Sequence, residues 1–173
     1  MANRAYLHSS HRPDAWKRPD EEYYDSRWTI PLAWFFFYGP EDIRLVDVHY
    51  NDSHWQEVKL STAKRAALTR FAAREPLLMS LVQDRISHAA VDEFLAKVEK
   101  RPGRFLLLDP DEVLTGMPEE DPVHAERLTR LLTLLQSGEP TPEAVREAAR
   151  PYLDNFDPDP ERCLGQVIGY TYW

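Results

Sequence analysis

The sequence predicts an α+β fold: a single domain, residues 1–173, in which a small mixed or antiparallel sheet, including N- and C-terminal strands, packs against several amphipathic helices. Three observations carry this. Strand-like alternation dominates up to about residue 60, helical periodicity follows, and the segment 165–173 returns to alternation. No repeat, low-complexity tract or linker divides the chain, and neither part alone has enough apolar sequence to form a core of its own.

Taken in order, Ala2–Ser9 has short-strand character around Tyr6 and Leu7. Ser10–Asp25 is polar and interrupted by Pro13 and Pro19, which predicts a long loop. Then comes PLAWFFFYGPED, where Trp34, Phe35, Phe36, Phe37 and Tyr38 are five aromatics in a row. As a strand they load both faces, and as a helix they surround it, so the segment is expected to be covered on all sides. These five are predicted to hold the fold rather than to grip a partner.

Ile43–Tyr50 and Trp55–Leu60 read as strands separated by the turn signal Asn51-Asp52-Ser53. Ser61 or Thr62 is the expected cap of a helix running to about Arg74, and Pro76 the expected start of a second running to about Lys100. Phe105–Leu108 is a short buried strand, with one helical turn expected in 110–117. Helices are predicted over Pro122–Gln136 and from Thr141-Pro142 to about Arg150. Asp154–Glu161 is an acidic, proline-broken loop, and Gly165–Trp173 the final strand.

The net charge of −8 is unevenly placed: residues 1–86 hold 12 basic and 12 acidic side chains, whereas residues 87–173 hold 9 against 17. An acidic surface repels phosphate backbones and argues against nucleic acid, while favouring a partner with a basic surface. A single cysteine, Cys163, allows no intramolecular disulfide, and MANRAYLHSSHRPD lacks the pattern of a secretory signal; both fit a cytoplasmic protein. No apolar run reaches the roughly 20 residues a bilayer demands, so no membrane role is expected.

Catalytic patterns are sparse. Glu57 and Lys59 share a strand face, and with Asp47 they form a weak metal-dependent nuclease-like pattern, although a solvated strand face explains them equally. Pairs such as His8-x-x-His11 lack the partners of a zinc site. The acidic loop lacks the glycine and terminal glutamate of a calcium-binding helix-loop-helix. No phosphate-cradling or dinucleotide glycine motif occurs, so no cofactor or metal is expected.

What remains is recognition. Residues 16–55 hold 11 of the 20 aromatics, and Trp16, Tyr23, Tyr24 and Trp28 lie among charges in or beside the polar loop, a composition found at protein interfaces. Asp154, Asp157, Asp159 and Glu161 supply an acidic counterpart. These eight residues are the expected partner-binding set of a non-catalytic protein, with stapling of the loop onto the sheet as their structural explanation. An enzyme of unrecognised type, using Asp47, Glu57 and Lys59, or a protein of housekeeping role, is the alternative.

The opening MANRAYLHS and the later Ile30-Pro31-Leu32 resemble a set of uncharacterised bacterial proteins that begin M-A-N-R-S-Y-L and continue Tyr-Ser. Ala5 and His8 stand here in place of Ser and Tyr, and the likeness covers about the first 40 residues. It implies no activity. In size and charge the chain is similar to immunity proteins that neutralise bacterial toxins, an analogy of type rather than of motif.

Overall fold

The computed structural model describes residues 4–16, 23–83, 85–117, 120–138, 140–153, 156 and 159–172. Its strands are β1 (Arg4–Ser10), β2 (Tyr23–Arg27), β3 (Ile43–Tyr50), β4 (Ser53–Ala63), β5 (Phe105–Asp109) and β6 (Tyr170–Tyr172). Its helices are α1 (Leu32–Phe35), α2 (Lys64–Val82), α3 (His88–Lys100), α4 (Asp111–Leu114), α5 (Asp121–Gln136), α6 (Pro142–Ala149) and α7 (Pro160–Ile168). One sheet of order β3-β4-β5-β1-β2-β6 contains all six strands, every neighbouring pair antiparallel. The N- and C-terminal strands lie in that sheet, as the sequence predicts, with β2 between them.

The two faces of the sheet differ because strand side chains alternate. Ala5, Leu7, Val58, Leu60, Leu106 and Leu108 are buried in the main core beneath the helices. On the opposite face a single row of side chains crosses all six strands: Tyr170, Asp25, Tyr6, Asp109, Lys59 and Arg44. The middle of that row is polar yet buried, at Asp25, Tyr6 and Lys59, with Asp109 half-buried, so its charges need partners. Arg4 meets Asp25 at 2.5 Å, the Tyr6 hydroxyl donates to Glu112 at 3.3 Å, and Lys59 Nζ lies 2.6 Å from Asp109 and 2.8 Å from Glu57. The chain after β1 crosses the same face, where His8 Nε2 lies 3.1 Å from the Ala15 carbonyl.

The aromatic block forms α1 and the turn after it, and residues 31–39 are all buried. Phe37 packs on Phe71 and Phe94 with ring centroids 4.8 and 5.8 Å apart, and Phe35 lies 5.4 Å from Tyr152. The expectation that this segment is covered on all sides holds, with the helix rather than the sheet as its setting.

Other boundaries differ from the sequence reading, each for a physical reason. Tyr23–Arg27 is a strand rather than loop, because Arg4 neutralises Asp25 within the sheet. Ser61 and Thr62 finish β4 instead of capping α2; the backbone N–H of Lys64 donates to Arg104 at 2.8 Å in place of a side-chain cap. Pro76 lies inside α2. Its interior cost of about 3 kcal/mol is offset by Phe71 before it and Leu78, Leu81 and Val82 after it, all buried on one continuous helix. Of the expected final strand Gly165–Trp173, residues 165–168 lie instead in helix α7 and only Tyr170–Tyr172 form β6. In so short a stretch the pairs Cys163–Val167 and Leu164–Ile168 fit both periods, because four residues are one helical turn and also two strand repeats. Asp159 decides for helix, its Oδ1 accepting from the N–H groups of Glu161 and Arg162 at 3.0 and 3.1 Å.

The Lys59 triad pins β4 to β5 where the long β3–β4 hairpin leaves the sheet, since β4 pairs with β5 only over Leu60–Ala63. Burial pushes the Lys59 amine down, but Asp109 and Glu57 outweigh this and hold it above its usual 10.5. Replacing it by Met should cost about 2 kcal/mol in urea unfolding, less than a fully buried pair because both carboxylates reach solvent. The stability it confers is present in full below pH 10.5 and lost as pH rises through the higher folded value. His8 has the opposite sign: burial lowers it below 6.5, so its contribution is full above pH 6.5 and lost as pH falls through the folded value. A His8→Gln variant should therefore show a flatter acid limb in a pH series of melting temperatures.

Candidate functional site

Of the eight residues expected at an interface, the structure separates two neighbours sharply. Tyr24 is 3% exposed, edge-on to Phe94 at 5.0 Å, with the Arg101 guanidinium 4.1 Å from its ring centre. It is a core residue, and its expected role as a surface anchor is corrected. Trp28 is 62% exposed. The reason is local: β2 ends at Arg27, Ile30 is buried with its N–H on the Tyr152 carbonyl at 3.4 Å, and the chain must reverse between them. The Ser26 and Thr29 hydroxyls bond at 3.1 Å across that turn, and Trp28 at its crest takes φ +65°, the left-handed region.

Trp16 is half-buried, immediately after the Ala15 carbonyl that meets His8, and so is placed where a staple of the loop onto the polar face would be. Tyr23 opens β2, but its side chain, like Asp154 and Asp157, lies outside the described residues. Asp159 is the α7 cap, and Glu161 is exposed in the first turn of that helix, a favourable place for a carboxylate.

Trp28 and α7 are nonetheless brought together. A cleft of roughly 560 Å³ is lined by the 26–29 turn, by Arg162, Gly165 and Gln166 of α7, and by Tyr170 of β6. Tyr170 is 47% exposed, its ring lying against Gly165, where any Cβ would collide with it. Arg27 and Arg162 are exposed on the two sides. Among the described residues the charged groups that line the cleft are both cationic, with Glu161 one step along the helix. Sequence reasoning missed Arg27, Arg162 and Tyr170. The one available signal was Gly165, a residue of low helix propensity set five positions before a tyrosine.

Chemically the cleft can stack and form charge-assisted hydrogen bonds. Among the described residues its lining has no carboxylate, thiol or imidazole, and Cys163 is buried. Among the described residues no group of three or more His, Cys, Asp or Glu is arranged to hold a metal ion. The alternative set Asp47, Glu57 and Lys59 does not converge. Asp47 pairs opposite Gln56, which donates to it at 3.1 Å on one face, whereas Glu57 and Lys59 point to the other and join Asp109. The register pairs Glu57 with Val46, one residue out of step with Asp47, and that offset is invisible in the sequence.

Gly165→Ala should swing the Tyr170 ring out of its seat while leaving the fold intact, with stability unchanged or higher by up to about 1 kcal/mol. NMR should then show altered Tyr170 ring and Trp28 indole resonances against unaltered core methyls; an unmoved Tyr170 would contradict the geometry.

The chain matches no protein-family model, no curated protein and no solved structure.

Proposed function

We propose that this chain is a non-catalytic protein-binding protein, of the kind that neutralises a bacterial toxin by occluding it, with a contact face centred on Trp28 and Tyr170. One observation carries this reading. A tryptophan at φ +65° costs the backbone about 1 kcal/mol relative to glycine, and at 62% exposure it returns little burial. Folding alone would favour Gly or Asn at that crest. An exposed, rigidly presented aromatic beside a second aromatic and two guanidiniums has the composition of an interface hot spot. The net charge of −8 supports an overall basic partner drawn in over distance, while Arg27 and Arg162 would pair with carboxylates at contact.

Trp28→Gly separates the two roles. The variant should melt within about 1 kcal/mol of the native chain, whereas loss of a buried tryptophan would cost 3 kcal/mol or more. In a paired affinity purification it should lose a partner that the native chain retains in stoichiometric amount. Equal recovery by both chains, or no such partner with either, would refute the assignment.

A further inference from the structure

A second concave surface lies away from the Trp28 cleft, where α2 starts beside the turn from α3 into β5. The groove, of roughly 750 Å³, is lined by Lys64, Arg65, Arg101 and Arg104 against one carboxylate, Glu99. A local charge of about +3 in a protein of net −8 is a concentration that overall composition does not explain.

The groove is built rather than incidental. Lys64 is only 7% exposed, and its backbone N–H donates to the Arg104 carbonyl while its Nζ donates to the Arg101 carbonyl. The 101–104 turn is thereby locked to α2. Gly103 fixes the turn from the other side: at φ +109° it lies so close to Ser10 that a Cβ would sit 2.7 Å from the Ser10 backbone. Arg101 is held over the Tyr24 ring. Two cations from α2 and two from the turn thus line one groove, with the Lys64 and Arg101 side chains held in place. Burial first, and then the charge of Arg101, hold the Lys64 amine below its ordinary value against the opposing pull of Glu99. Arg65 and Arg104 are exposed and gain nothing from folding by facing this groove. The first turn of α2 contains no acidic residue, although that is where the helix dipole favours one.

We propose that this groove binds the phosphate group of a compact anionic ligand, with Arg65 and Arg104 as its adjustable contacts and Lys64 and Arg101 as a fixed cationic floor. Guanidiniums suit phosphate because they donate paired N–H groups to its oxygens. A compact ligand is favoured over a nucleic acid because a long polyanion would run out of the groove onto a surface that is negative overall, whereas a small dianion senses only charges within about 8 Å at physiological salt.

Isothermal titration with inorganic phosphate, pyrophosphate, tripolyphosphate and ATP, at ionic strength held constant with chloride, tests this. Saturable binding is expected, accompanied by shifts of the Arg65 and Arg104 amide resonances. Equal affinity for tripolyphosphate and ATP would identify the free anion as ligand, and tighter ATP binding a nucleotide. The double variant R65Q/R104Q should weaken binding at least about tenfold with an unchanged melting temperature in the absence of anion. Absence of saturable binding, equal binding by the double variant, or tighter binding of a single-stranded RNA than of pyrophosphate would overturn the assignment.

Discussion

The structure depends on how a run of five aromatics can be buried without orphaning its own backbone. Trp34 to Tyr38 are all fully buried, and a single helical turn followed by a loop cannot satisfy its carbonyls internally. Two arginines of α2 complete the set. Arg74 donates to the Phe36 and Tyr38 carbonyls at 3.3 and 2.7 Å, and Arg70 to Phe37 at 3.4 Å and to the Asp42 carboxylate at 2.7 Å. Each unpaired buried carbonyl would cost about 1–3 kcal/mol, comparable with what burying one of the rings contributes. The aromatic block is therefore stable only in partnership with α2, whose part before Pro76 brings Phe71 and both arginines to it, while burial of Leu78, Leu81 and Val82 favours continuing the helix beyond the proline.

That block also determines what the surface can display. Trp34 Nε1 donates to the Ile168 carbonyl at 2.9 Å, and Gly169, at φ +79°, sits where a Cβ would be 2.5 Å from the Trp34 ring. The end of α7 and the start of β6 are fixed against the indole, and with them Tyr170. On the other side, Ile30 and Pro31 enter the block directly, so the turn bearing Trp28 has one anchored end there and the other in β2. The two exposed aromatics of the cleft are thus both anchored at the Trp34 end of one buried aromatic cluster. With the helical side of the sheet supplying the apolar burial, the other face carries charges, provided each is matched, as Asp25 is by Arg4 and Asp109 by Lys59.

The α+β class, the sharing of one sheet by both terminal strands and the burial of residues 34–38 were legible because pattern and composition determine them. Helix starts were legible where chemistry marks them: Thr141 before Pro142 caps α6, its hydroxyl accepting from Ala144 at 3.3 Å. What was not legible turns on geometry between segments. Tyr24 and Trp28 belong to the same aromatic, charged stretch, yet one is core and the other surface. The difference comes from strand parity at Tyr24 and from a left-handed turn at Trp28, which no residue type there announces. Asp47 seemed a companion of Glu57 and Lys59 because strand pairing had to be assumed. The observed register sends it to the opposite face and supplies Asp109 from fifty residues later. The charge beside Trp28 was not legible for a similar reason: Asp159 caps α7, and Arg162 lines the cleft.

The distribution of charge then has a consequence for selectivity. Beyond about one screening length, roughly 8 Å at physiological salt, an approaching molecule senses a protein of net charge −8. Inside that distance, both concave surfaces described here present guanidiniums: Arg27 and Arg162 at one, Arg65, Arg101 and Arg104 at the other. A uniformly basic molecule is attracted and then meets like charge where contact must be made. A uniformly acidic one has complementary contacts but is repelled before reaching them. On the proposed reading, fast and lasting association at the Trp28 cleft calls for a surface of mixed sign, basic overall and with carboxylates beside an apolar depression that takes the indole. For the Lys64 groove the same reasoning sets a limit on size: only an anion small enough to lie within the local positive field escapes the repulsion of the rest.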